Sequence, residues 1–90
     1  MNKNDLRGLR YIKLRVKQTD DQDEKERLER KIARIEAWIR GIDDHLVHDI
    51  IVYRYERGFK WSKIAYLIGG DNSEDGVRMM VTRYLQKERE

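Results

Sequence analysis

The sequence predicts an all-α fold: an N-terminal helical hairpin followed by a three-helix unit of helix-turn-helix type. Three observations carry that expectation. Proline is absent from all 90 residues, so nothing forbids long helices. Apolar residues recur three and four apart through most of the chain, the spacing of one helical face. Glycines and Asp/Asn/Ser groups stand where those runs stop, and they supply helix-stop and helix-start signals.

The first apolar set is Leu6, Leu9, Ile12 and Val16. It predicts a helix over 4–18, weakened slightly by Gly8. The pattern stops at Thr19-Asp20-Asp21-Gln22-Asp23. Acidic residues then crowd 23–29, where a helix N-terminus favours negative charge. Leu28, Ile32, Ile35, Ile39 and Ile42 continue as a seam two heptads long. They predict a second helix over 22–40, folded back on the first by a short polar turn. A single long helix with a polar middle is the alternative, since no proline or glycine lies between Gly8 and Gly41.

Gly41 suits a C-cap, and Asp43 or Asp44 can cap the next helix. Leu46, Val47, Ile50, Ile51, Tyr53 and Tyr55 cover more than half the circumference of this third helix. It is therefore expected to be the central, most buried one, ending at Gly58. Trp61, Ile64, Ala65 and Ile68 predict a short amphipathic helix closed by Gly69-Gly70. Ser73 can cap a last helix, with Glu74 and Asp75 at its positive end. Val77, Val81, Tyr84 and Leu85 would face inward.

Charged residues are 41% of the chain and apolar ones 39%. Patterning, not content, separates it from a disordered segment. The chain is long enough for one small core and too short for a two-domain enzyme with a cofactor cleft. No enzyme activity and no cofactor are expected. No charge-free run approaches the roughly twenty residues of a membrane span, and no apolar segment after the start suggests a secretory signal. Cysteine is absent, so disulfides, thiol nucleophiles and Cys-based zinc sites are excluded. The cytoplasm is the expected location.

The formal net charge is +3, and it comes in blocks. Residues 1–18 carry six cations against one carboxylate, residues 19–29 two against six, and residues 30–42 four against one. Opposite neighbouring blocks suit pairing within a hairpin, and a basic face suits DNA. Residues 1–42 are read as a charged helical hairpin for dimerisation or partner binding. Its candidate interface residues are Leu28, Ile32, Ile35, Trp38 and Ile39. Residues 43–90 are read as the helix-turn-helix DNA-binding unit, and the two together as one compact domain.

Ala65 is the strongest local signal for that unit. A small residue in the first helix of the motif lets the second approach closely, and Gly69 stands four residues on to turn the chain. The turn is about two residues longer than the minimal form, because Val77 is the first inward residue after it.

The set Arg54-Tyr55, Gly58, Trp61, Ile64-Ala65 and Gly69, with Val77-Arg78 and Arg83-Tyr84-Leu85, resembles region four of bacterial sigma factors. It is similar above all to small phage-encoded relatives of that region, the ArpU/RinA-type late transcription regulators. The resemblance covers roughly residues 30–88. It implies sequence-specific DNA binding in phage gene control, with double-stranded DNA as the partner and host RNA polymerase as a second one.

With Val77, Val81, Tyr84 and Leu85 inward, the outward face of the last helix carries Arg78, Met79, Thr82, Arg83 and Gln86. Arg bonds guanine bidentately, Gln bonds adenine, and Thr or Met touches a thymine methyl. Arg78, Met79 and Thr82 lie nearest the helix start and are the first base-reading candidates. Arg83 and Lys87 suit phosphates. Lys60, Ser62, Lys63 and Ser73, near helix starts, suit the DNA backbone. Residues 71–90 carry four cations against five carboxylates, which is poor for binding resting on phosphate neutralisation. A second copy, as in a homodimer, or Arg7 and Arg10 from the first helix would help.

Other constellations carry less. His45 and His48 lie near Asp44 and Asp49, but two ligands with exposed carboxylates rarely hold a metal. The run Asp71-Asn72-Ser73-Glu74-Asp75 lacks the twelve-residue spacing of a calcium loop, and reads as caps. Two further readings stay open: a small terminase-like DNA-packaging subunit, and a helix-turn-helix fold that binds a host protein complex.

Overall fold

The computed structural model describes residues 1–89. Five α-helices are arranged in order: α1 Lys3–Gln18, α2 Gln22–Arg40, α3 His45–Ile51, α4 Trp61–Ile68 and α5 Glu74–Arg89. A π-helical turn, Val52–Glu56, continues α3. No strand occurs among the described residues, and no helix among them is long and apolar enough to cross a membrane. The fold is all-α.

The helix starts obey the capping chemistry of the sequence. Asn2 accepts from the Asp5 N–H at 2.9 Å. Asp21 accepts from the N–H groups of Asp23 and Glu24. Asp44 accepts from those of Leu46 and Val47. Each such cap is worth about 1 kcal/mol. Thr19 and Asp21 are both extended, so the chain reverses between α1 and α2. That excludes the single long helix. Arg15 reaches Glu24 across the turn at 2.7 Å, and Lys13 reaches Glu36 at 3.1 Å. The basic first block thus pairs with acids of α2. Both pairs are half-exposed and contribute little to stability.

One cluster of buried side chains joins both halves. It takes Leu6 and Leu9 from α1, Ile35 and Ile39 from α2, and Val47, Ile50 and Ile51 from α3. It continues through Tyr55, Ile64 of α4, and Val77, Val81 and Leu85 of α5. The hairpin is therefore part of the core and not an appendage. α3 supplies three buried residues in seven, as a central helix should, although Leu46 is exposed.

The seam of α2 corrects the expected subunit interface. Ile35 and Ile39 are 0% and 2% exposed, because α1 packs along α2 and brings Leu6 and Leu9 to the same cluster. Trp38 is also occupied within the chain. It meets Tyr84 edge-on with ring centroids 6.2 Å apart, and its indole N–H donates to Glu88. Leu28 and Ile32 stay half-buried.

The end of the third helix departs from the simple helix expected there. The Arg57 N–H bonds to the Val52 carbonyl at 3.0 Å, five residues back. The Phe59 N–H then closes on the Tyr53 carbonyl at 2.9 Å. Gly58 lies between them with φ of 72°, a left-handed conformation costing other residues roughly 1–2 kcal/mol. The Arg10 guanidinium lies where a Gly58 Cβ would stand. Gly58→Ala is accordingly expected to lose at least about 1–2 kcal/mol, read by thermal denaturation. Adding Arg10→Ala should return the part due to the clash and leave the backbone part. An unchanged melting temperature in Gly58→Ala would contradict this turn.

Candidate nucleic-acid interface

α4 and α5 are joined by Gly69–Ser73, in the order the motif requires. Gly69 has φ 78° and ψ −169°, a region essentially reserved for glycine. Asn72 locks the turn by donating from Nδ2 to the Gly69 carbonyl at 2.7 Å. Ser73 caps α5 by accepting from the Gly76 N–H at 3.0 Å. The cap uses the hydroxyl as an acceptor only, so its O–H stays free to donate. Ala65 is half-buried against the core where the two helices meet.

α5 buries Val77, Val81 and Leu85 and turns Met79, Arg83 and Gln86 outward. All three are exposed, and Met79, at 45%, is a large apolar side chain left in water. Neither Arg83 nor Gln86 makes a side-chain hydrogen bond or ion pair among the described residues. These three form the outermost strip of the helix.

Two expected base readers sit to one side of that strip. The Thr82 hydroxyl donates to the Arg78 carbonyl at 3.1 Å and accepts from Lys3 Nζ at 2.7 Å. Both these bonds are made inside the chain, so the hydroxyl tethers α5 to α1. Arg78 is exposed, yet its guanidinium lies over the Trp61 ring, 5.8 Å from the centroid. The partners differ: Thr82 bonds Lys3 at the start of α1, and Arg78 lies against Trp61 of α4.

The two flanks of α5 differ in charge. On one, an open cleft of about 450 Å³ is lined by Asp43, Asp44, Leu46, Val47, Met80, Arg83, Tyr84 and Lys87. Arg83 and Lys87, expected at phosphates, share that cleft with two carboxylates. The Tyr84 hydroxyl is pushed above its ordinary pKa by desolvation, with Asp43, Glu88 and Asp44 adding to the effect.

The other flank is cationic. A notch of about 170 Å³ is lined by Lys3 and Arg7 of α1, Arg54 and Tyr55 of the π turn, Trp61 of α4, and Arg78 and Val81 of α5. An adjoining depression adds Arg10. Arg54 lies 4.8 Å from the Trp61 centroid, so two guanidiniums share one indole. Arg54 also donates from Nη1 to the Phe59 carbonyl at 3.0 Å. Burial raises the Tyr55 pKa, while Arg7 and Arg54 pull it down. Tyr55 therefore stays a neutral phenol among cations.

Lys60, Ser62 and Lys63 stand exposed at the start of α4, which no side chain caps. The Lys63 ammonium lies 4.0 Å from the centroid of the Phe59 ring, a cation–π contact that limits its reach. The residues that sequence reasoning missed are Lys3 and Arg54. Lys3, Arg7 and Arg10 are spaced four and three apart, a signal for one basic face of α1, but nothing in that spacing says which helix the face adjoins. Comparison of the chain with protein-family models, with curated proteins and with solved structures gave no match.

Proposed function

We propose that the chain is a sequence-reading DNA-binding protein that lays α5 in the major groove and serves as a phage transcription regulator. The observation that carries the reading is the outward strip Met79–Arg83–Gln86, which has no partner among the described residues and lies beside a cationic flank. Arg and Gln can read guanine and adenine edges, and Met can meet a thymine methyl. The α4–α5 turn, with Ala65 and Gly69, supports the same reading, as does the likeness to sigma region four. The cationic side of α5 would follow the phosphates, and the side bearing Asp43 and Asp44 would turn away from them.

The test is selection from a random-sequence duplex pool at two salt concentrations. Enrichment of one motif, with affinity falling as salt rises, is the expected result. The symmetry of the motif would report whether two copies read it. No enrichment and no retained DNA at low salt would overturn the reading. It would also turn attention to a protein partner, for which Tyr66 and Leu67, exposed on α4, offer apolar contact area.

A further inference from the structure

The notch beside α5 holds an unusual set of groups for its size. Lys3, Arg7, Arg54 and Arg78 open onto one small cavity. Lys3, Arg7 and Arg54 form no ion pair among the described residues, whereas Lys13 and Arg15 on the same helix α1 both do. Asp75 comes within 3.9 Å of Arg78, but its carboxylate is 93% exposed and lies on the solvent side. Like charges gathered around one opening repel each other. A surface arranged for stability alone would place a carboxylate among them, as α2 does for Lys13 and Arg15.

We propose that this notch is a phosphate-binding site, and that it takes a backbone phosphate of the nucleic acid that α5 reads. The second half of that statement rests on the proposed function; the site itself does not. The donors available match the ligand. A lysine offers three N–H groups and an arginine five. Lys3 spends one on Thr82 and Arg54 one on Phe59, which leaves most of them unused. Guanidinium forks fit phosphate oxygens two at a time. Several cations together exceed what one carboxylate would need and suit a phosphate.

The cations are also held in place before any ligand arrives. The Trp61 ring lies under the guanidiniums of both Arg54 and Arg78. Thr82 fixes the Lys3 ammonium, and the Phe59 carbonyl fixes one arm of Arg54. Side chains ordered in advance lose less freedom on binding. The π turn contributes as well, because it carries Arg54 and Tyr55 to the notch, and such turns are frequent at functional sites. On α5 the notch adjoins Arg78 and Val81, to one side of the outward strip. A backbone strand bordering the groove that α5 occupies would pass there.

The indole N–H of Trp61 reports on this site in the nitrogen–proton NMR spectrum of the full chain, and Trp38→Phe assigns it. Two probes are used: inorganic phosphate, against chloride at equal ionic strength, and a mixed-sequence duplex. Both are expected to move the Trp61 signal. Arg7→Ala should abolish the phosphate response and make the salt dependence of duplex affinity shallower by about 0.9 in log–log slope, one phosphate contact. Arg7 is exposed and its truncation leaves the core intact. Lys17→Ala, on α1 but away from the notch, should leave the phosphate response unchanged.

A Trp61 signal unmoved by phosphate and by duplex overturns the site. So does an Arg7→Ala variant with the wild-type phosphate response and salt slope. Duplex binding with Trp61 unmoved overturns the site and leaves the DNA reading standing. A phosphate response with no duplex binding keeps the site, and overturns both its nucleic-acid source and the proposed function.

Discussion

Leu9→Ala is expected to destabilise the whole chain by about 2–5 kcal/mol, the range for emptying a closed core position. Leu9 is fully buried in α1, in the cluster that also holds Ile64, Val77 and Val81 of the C-terminal helices. The loss should therefore appear everywhere at once. In a domain of this size 1 kcal/mol moves the melting temperature by roughly 4–8 °C, so the shift is large. The two tryptophans make the check: Trp38 sits in α2 and Trp61 in α4. Fluorescence and helical circular dichroism should fall together, in one transition lowered by the substitution. If the circular dichroism of the variant fell early while Trp61 kept its wild-type melting, the hairpin would be a separate unit and the shared core would be wrong.

The second large effect is on recognition. Arg83→Ala should weaken binding to the selected DNA site by about 1–3 kcal/mol and relax preference at one base position. The melting temperature should stay as in the wild type, since Arg83 has no partner among the described residues to lose. The contrast with Arg7→Ala separates the two contact types. A base reader changes which sequence is preferred, and a phosphate contact weakens all sequences alike. If Arg83→Ala kept the wild-type preference at every position, the outward strip would not be the reading face.

Much of the fold was legible because it depends on neighbours in the chain. Asp21, Asp44 and Ser73 cap their helices through bonds to residues two or three further on. Gly58, Gly69 and Gly70 stand where φ is positive. Leu6, Leu9 and Ile12 are spaced for one face, and that face is buried. The parts that escaped depend on residues far apart in sequence. Lys3 and Thr82 are 79 positions apart, and no periodicity announces that α1 starts beside α5. That one contact makes Thr82 a tether to α1, and the α1 cations meet Arg54 and Arg78 beside it. The α2 seam shows the same limit. Its heptad spacing marks an apolar face correctly, but spacing does not say whether the face is covered by a second copy or by the chain itself. Here α1 covers Ile35 and Ile39. The π turn escaped for a third reason. Val52–Glu56 has no composition that separates it from an ordinary α-helical end, and only the longer bond from Arg57 to Val52 marks it.

That turn has the geometry of an α-helix into which one residue has been inserted. Removing a residue between 52 and 56 would let the α-helical ladder close, and the deletion would look harmless in a sequence alignment. Yet every later residue would swing by about 100° around the helix axis, since an α-helix makes a full turn in 3.6 residues. Gly58 would leave its place under Arg10, and the α4–α5 pair would be re-aimed against the hairpin as a block. Chain length at this point is therefore a steering parameter. Relatives one residue shorter there would have to present α5 at a different angle, even with an identical outward strip.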